Sequence, residues 1–272
     1  MKLPTSSVVT PDPWSVLRQF TDARIGLGRC GTSMPLAECL AFKLAHAKAR
    51  DAVWQPMQMA WLKEQLAENG RDCLQLASSV TSRGEYLARP DKGRILNDNS
   101  RALLTNQSAG FDLCIVVSDG LSARAIHENC PLFIRGFMEI VKRTDLTVAP
   151  ICLVENGRVA IADEIGSLLS ARMSIMLIGE RPGLSSPNSL GVYLTYNPRP
   201  GTTDASRNCI SNIREGGMTV EDGVRKLAYL VEAGLQQGKT GVELKDMMRA
   251  DYLPFGREWS IAPHASPPAC AD

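Results

Sequence analysis

Histidine is scarce in this chain, with His46, His127 and His264 the three present in 272 residues. No two of them stand four apart, and none pairs with nearby cysteines at zinc-binding spacing, so the sequence patterns of a structural metal site are missing. The eight cysteines include no C-x-x-C. They scatter through apolar surroundings, as Cys114 in LCIVV and Cys152 in ICLV do, and read as reduced, packed thiols rather than a disulfide framework. No apolar run approaches the roughly 20 residues of a membrane-spanning helix. The N-terminal MKLPTSSVVTPDPW has one lysine and no long apolar stretch, so no secretory signal is expected and a cytoplasmic location is. Neither sign of charge dominates: Lys plus Arg is 30 and Asp plus Glu is 29. That balance gives no electrostatic reason to expect nucleic acid or an anionic membrane as partner. There is no P-loop and no G-x-S-x-G. Gly26-Leu27-Gly28 lacks the third glycine of a dinucleotide fingerprint and follows no convincing strand.

What is present is an ordinary globular composition, 44% hydrophobic and 22% charged, long enough for one large domain or two small ones. Three regions are expected: a mainly helical 1–106, an α/β region 107–260 and a disordered tail 261–272. In the first, DPWSVLRQF reads as a short amphipathic helix and RIGLGRCGTSMP as a glycine-rich loop. Ser33 and Pro35 then open a helix with Leu36, Leu40, Leu44 and Ala47 on one face. QPMQMAWLKEQLAENG gives another helix closed by Asn69-Gly70, DCLQLASSV a candidate strand, and PDKGRILNDNSRALLTN a further helix.

From residue 111 the texture changes. FDLCIVVSDG, TVAPICLV, MSIMLIG and LGVYLTY are short apolar runs, and helical patterns separate the first three. PLFIRGFMEIVKR buries Phe133, Phe137, Ile140 and Val141, and IADEIGSLLSA buries Ile161, Ile165, Leu168 and Leu169. Near the end, Thr219 and Asp222 form a capping-box pattern ahead of Val220, Val224, Leu227, Val231 and Leu235, with Gly238 as the stop. Apolar strands alternating with helices predict an α/β fold: a Rossmann-like, mostly parallel sheet flanked by helices.

Ligands of open α/β sheets bind beyond the carboxyl ends of the strands. Four segments qualify: SDGLSAR, with Ser118, Asp119 and Gly120; ENGRVAI, with Arg158 and Val159; GERPG, with Glu180 and Arg181; and NPRPGTTDASRNCISN, with Cys209. Each joins glycine to polar residues, so that backbone N–H groups can approach a ligand. Each also has a plainer reading. SDG is a common turn whose Asp119 could cap the next helix, NG is a hairpin signal, GERPG could be a solvated surface turn, Cys209 a packed thiol, and His127 a helix-surface or capping residue. The group as a whole points to a binding rim rather than a self-contained catalytic apparatus, and no catalytic residue is assigned.

The stretches RIGLGRCG, ARPDKGR, VVSDGLSARAI, NGRVAIADEIG, GERPGLSSPNSLGVYLTYNPR and CISNIREGG, in that order over roughly 24–218, resemble the small subunit of ethanolamine ammonia-lyase. The resemblance implies an adenosylcobalamin-dependent lyase that converts ethanolamine to acetaldehyde and ammonia by radical chemistry. A larger TIM-barrel subunit holds the substrate in that family, and the small subunit closes over the cofactor in a hetero-oligomer. The family's cofactor-touching residues match Val159, Glu180 and Cys209. Arg158, Ser118, Asp119, Gly120 and Arg181 are added as neighbours, Arg181 either bracing its loop or meeting the partner chain. No D-x-H-x-x-G surrounds any histidine, so cobalamin is expected to keep its own dimethylbenzimidazole as lower ligand. Packaging in a bacterial microcompartment is less expected than free cytoplasm, because little sequence precedes Asp22. The competing readings are a stand-alone α/β nucleotide-binding oxidoreductase and a non-catalytic scaffold.

Overall fold

A computed structural model describes residues 8–67 and 72–257. The elements run α1 (Leu36–Trp54), α2 (Met59–Ala67), β1 (Cys73–Ala77), α3 (Arg83–Ala88), α4 (Asp98–Thr105), β2 (Leu113–Ser118), α5 (Ala123–Val141), β3 (Ile151–Glu155), α6 (Ile161–Leu168), β4 (Met173–Gly179), β5 (Leu190–Tyr196), β6 (Arg207–Ile213) and α7 (Val220–Gln237). Among the described residues six strands form one sheet in the order β1-β3-β2-β4-β5-β6. The first four are parallel, while β5 runs antiparallel to both β4 and β6. The α/β, mostly parallel architecture expected from the sequence is the one observed.

Period-two alternation divides the core into two faces. Leu113, Ile115, Val117, Leu153, Ile175 and Leu177 point to one side and pack on Phe133 and Phe137 of α5 and on Leu227 and Val231 of α7. Cys114, Val116, Cys152, Val154 and Met176 point to the other and meet Ile161 and Ile165 of α6 and Leu104 of α4. Right-handed crossovers account for this split. The path from β2 to β3 runs one way along the sheet, and the path from β3 to β4 runs back, so α5 and α6 fall on opposite faces.

Several local details depart from the sequence reading. The helix expected from Pro131 begins eight residues earlier, at Ala123, and carries Pro131 inside it. Its cap is Ser122, whose hydroxyl accepts the Ala125 N–H at 3.2 Å, and not Asp119. The helix expected from Pro90 starts at Asp98, where the Asn97 side chain accepts the Ser100 N–H. The segment Pro13–Gln19 is a 3-10 turn. The second helix ends at Ala67, and its expected stop, Asn69-Gly70, lies outside the described residues, as does the expected tail 261–272. The capping box is present as read: the Thr219 hydroxyl accepts the Asp222 N–H at 3.0 Å, and α7 stops at left-handed Gly238. No helix among the described residues is long and apolar enough to cross a membrane.

His127, on α5, fastens α2 in place. Its Nε2 accepts the Gln58 N–H at 3.0 Å, and its ring stands edge-on to Trp61 with centroids 5.5 Å apart. Burial holds its pKa below the ordinary 6.5. The folded chain therefore binds fewer protons than the unfolded chain near that pH, and the contact loses stabilising value as pH falls through about 6.5. Urea unfolding at pH 7.5 and pH 5.5 should show a larger drop for the native chain than for His127→Gln, which keeps an acceptor that does not titrate. Equal drops in the two would contradict this assignment.

Candidate functional site

The carboxyl ends of β1 to β4 meet at one edge of the sheet, and buried polar groups knit that edge together. The Asp119 carboxylate accepts the Arg83 guanidinium at 2.7 Å, the Asn156 N–H at 2.8 Å and the Ser118 hydroxyl at 3.1 Å. Arg83 also donates to the Asn156 side-chain oxygen at 3.0 Å and to the Val53 carbonyl at the end of α1. Ser118 Oγ accepts the Gly157 N–H at 2.9 Å. Gly120 has φ +53°, and an added Cβ would collide with the Gly179 carbonyl, so this turn needs glycine. Ser118, Asp119 and Gly120 are thus buried beneath the rim, Ser118 fully and Asp119 at 4% exposure, with their polar atoms turned to the chain itself.

Arg158 lies above them. Its backbone N–H donates to Gly93 O at 2.7 Å, its guanidinium lies 4.1 Å from the Tyr86 ring centroid, and it donates to Tyr86 O at 3.0 Å. Val159 follows at the start of α6 and packs with Tyr193 against the apolar cluster on that face. Arg158, Val159, Ala160 and Tyr193 line one cavity of about 450 Å³, together with Arg94 and Arg207.

Tyr193 links this cavity to the other two matched residues. It is paired in register with Cys209 across β5 and β6. Glu180, just past β4, extends its carboxylate over Gly191 of β5. An added Cβ there would lie 3.0 Å from Glu180 Oε1, so glycine at 191 makes room for the carboxylate. The carboxylate accepts Ser189 Oγ at 2.5 Å, Ser211 Oγ at 2.6 Å and the Asn212 N–H at 3.2 Å. Val159, Tyr193, Cys209, Ser211 and Glu180 therefore follow one another across one face of the β5–β6 hairpin. The helices that pack on Val192, Leu194 and Ile210 lie on the opposite face, and Cys209 and Ser211 are exposed. Arg181 is also exposed, in the turn that follows.

One expectation about position is corrected. Because β5 runs antiparallel, the loop after it leaves from the far edge of the sheet, and Cys209 sits within strand β6 rather than in a rim loop. The loop folds back over the face. Buried Arg207 fixes it there, donating to Thr202 O at 2.8 Å, to Asp204 at 2.7 Å and to Asp163 of α6. Thr202 and Asp204 thereby reach the same cavity as Val159. Sequence reasoning missed Tyr193, Ser211 and Arg94. Alternation in LGVYLTY carried the signal for Tyr193, since Val192 and Leu194 claim one face and leave Tyr193 to the other.

A family model described as ethanolamine ammonia-lyase light chain matches residues 11–245. An ethanolamine ammonia-lyase small subunit of Pseudomonas putida is 52% identical over 242 residues, 87% of this chain and 89% of its own. Small subunits of that name from Pseudomonas fluorescens and Ralstonia nicotianae are 51% and 49% identical, covering 93% of this chain and 93% and 95% of theirs.

Desolvation pushes the Cys209 thiol above its ordinary 9.0, the Glu180 charge adds to the rise, and the neighbouring Tyr193 hydroxyl opposes it. Less thiolate is then present at neutral pH, and thiolate is the nucleophile. Iodoacetamide should label Cys209 more slowly than a free thiol at pH 7.5, with a rate–pH midpoint above 9.0 that climbs further in Tyr193→Phe. Mass spectrometry of the peptide carrying residue 209 checks this, and a midpoint below 9.0 would contradict it.

Proposed function

Because the chain belongs to the ethanolamine ammonia-lyase small-subunit family, we propose that it is the cofactor-covering half of a two-chain lyase that converts ethanolamine to acetaldehyde and ammonia. The cofactor is adenosylcobalamin, and the partner is a large subunit built as a TIM barrel that holds the substrate. Family membership favours this reading over a stand-alone oxidoreductase or a scaffold. The observation that carries the site assignment is the continuous face formed by Val159, Tyr193, Cys209 and Glu180.

The residues suit a corrinoid. Its ring is broad and bears amide arms, and the β5–β6 face offers an open surface with acceptors at one end. A carboxylate has about four lone-pair positions, and Glu180 uses three on Ser189, Ser211 and Asn212. The fourth is available for an amide N–H, a charge-assisted bond of about 1.5–3 kcal/mol. Those three donors also lock the carboxylate in place, so little ordering cost remains on binding. Val159 contributes an apolar side chain and a backbone N–H that has no acceptor among the described residues. Cys209 contributes a protonated thiol paired across the strands with Tyr193. When bound, adenosylcobalamin supplies the radical chemistry, and this chain positions it and keeps water out. The buried Ser118-Asp119-Gly120 turn supports the rim from beneath, and Arg158 flanks Val159.

The surface also calls for a large partner. The helix α1 buries only Ala52. Leu36 is 71% exposed and Phe20 79%, with Trp14, Leu40, Leu44 and Trp54 exposed along the same arm. Each such side chain is worth about 1.5–3 kcal/mol when fully buried, and a bare apolar area of this kind marks an interface. Arg83 bonds both the Val53 carbonyl and Asp119, which roots the arm in the same rim that carries the site. One partner covering the cofactor therefore also meets the arm.

Ethanolamine deamination should require both chains co-expressed, and activity in this chain alone would overturn the assignment. In the two-chain complex, Glu180→Gln should lower cobalamin retention by about 10- to 100-fold, following the loss of one charge-assisted bond. Val159→Asp should lower it as well, with far-ultraviolet circular dichroism unchanged in both. Adding the large subunit should blue-shift the emission of Trp14 and Trp54; an unchanged spectrum would remove the arm from the interface.

A further inference from the structure

The cavity beside Val159 holds more positive charge than the chain neutralises. Among the described residues, neither Arg94 nor Arg158 meets a carboxylate. Arg158 is held instead by the Tyr86 ring and carbonyl, and its Nε is buried without a hydrogen-bond partner. Arg207, 7% exposed and lining the same cavity, satisfies Asp163, Asp204 and Thr202 but leaves its own Nε without a partner. The backbone N–H groups of Val159 and Ala160 have no acceptor among the described residues either, and Ala160 caps α6 without a side-chain bond. Buried donors without acceptors are rare in folded proteins. Here the side chains of Arg94, Arg158 and Arg207 and the free N–H groups of Val159 and Ala160 border one volume.

We propose that this cavity is an anion subsite for a phosphodiester, held by Arg94 and Arg158 with the N–H groups of Val159 and Ala160. Guanidinium forks and successive backbone N–H groups suit tetrahedral phosphate oxygens. The volume, about 450 Å³, leaves room for more than a lone phosphate. On the cofactor reading given above, on which this inference rests, the bound molecule is cobalamin and the group is the phosphodiester of its nucleotide loop. Tyr193, Cys209 and Glu180 would then meet the corrin ring, and Arg94, Arg158 and the start of α6 its nucleotide loop. Free inorganic phosphate shares the chemistry and is the alternative occupant.

Arg94 is exposed and outside the core, so Arg94→Gln tests the subsite without disturbing the Tyr86 packing that Arg158 supports. The two-chain complex is dialysed to equilibrium against cyanocobalamin and, separately, against dicyanocobinamide, which lacks the nucleotide loop. Arg94→Gln should weaken cyanocobalamin by about tenfold or more and leave cobinamide unchanged, with Arg94→Lys in between. Inorganic phosphate should compete with cyanocobalamin in the native complex and not in Arg94→Gln. An unchanged ratio of the two corrinoid affinities, whether both fall or neither does, overturns the proposal. If the native complex binds neither corrinoid, the cofactor reading fails instead. A phosphate-induced rise in melting temperature then decides the subsite alone: present in the native complex and absent in Arg94→Gln supports it, and any other result rejects it.

Discussion

A single buried carboxylate organises the functional edge of this molecule. Asp119 receives Arg83 from α3, Asn156 from the loop after β3 and Ser118 from its own strand end. The pair is 13% and 6% exposed at its two side chains. Removing one partner of a buried ion pair costs about 3–5 kcal/mol because the other charge is left stranded, a large share of a typical stability of about 5–15 kcal/mol. The rim loops are therefore not free to sample conformations independently. Asn156 holds a left-handed backbone at φ +52° within this network, and the peptide that follows leads to Arg158 and Val159.

The second constraint is the reversal of direction at β5. A fifth parallel strand would send its following loop to the rim and place a helix over the face. The antiparallel β5–β6 pair leaves that face open, with α5 and α7 stacked on the other side. Gly191 then permits the Glu180 carboxylate to lie across the hairpin, where Ser189 and Ser211 hold it. Packing explains why GERPG sets a glutamate between glycines where a buried strand surfaces. Gly179 must pass close under the Asp119–Ser122 turn, and the next residue emerges with its side chain directed over β5.

Much of this was legible in the sequence because it is local. The apolar runs of β2, β4 and β5, the Thr219 cap and the Gly238 stop follow from patterns a few residues long. What stayed illegible depends on tertiary partners. Strand β6 was hidden in a polar loop because RNCISNI buries only Arg207, Ile210 and Ile213, and a half-exposed edge strand carries little apolar signal. Asp119 reads as a turn residue until Arg83, 36 positions away, is placed beside it. The helical spacing of Leu36, Leu40 and Leu44 was real, yet it signals a face bare in the isolated chain, since periodicity records that a face seeks apolar contact and not whose surface provides it.

The open hairpin face, the unpaired guanidiniums and the bare arm have a common physical character. Each is a debt left on the surface of a well-packed core: the Arg94 and Arg158 guanidiniums without a carboxylate and N–H groups without acceptors beside Val159, and exposed apolar side chains along α1. Folding alone gains nothing from either, since water solvates an exposed arginine well and an exposed leucine poorly. On the proposals above, an anion would meet the first and an apolar partner surface the second. Val53 and Asp119 share Arg83, so the arm and the rim are mechanically joined. On the proposed function, fixing the arm against the partner would restrict the rim beside the cofactor face, and holding the cofactor would restrict the arm in return. Reciprocity then requires that whatever factor one binding event applies to the other be returned equally.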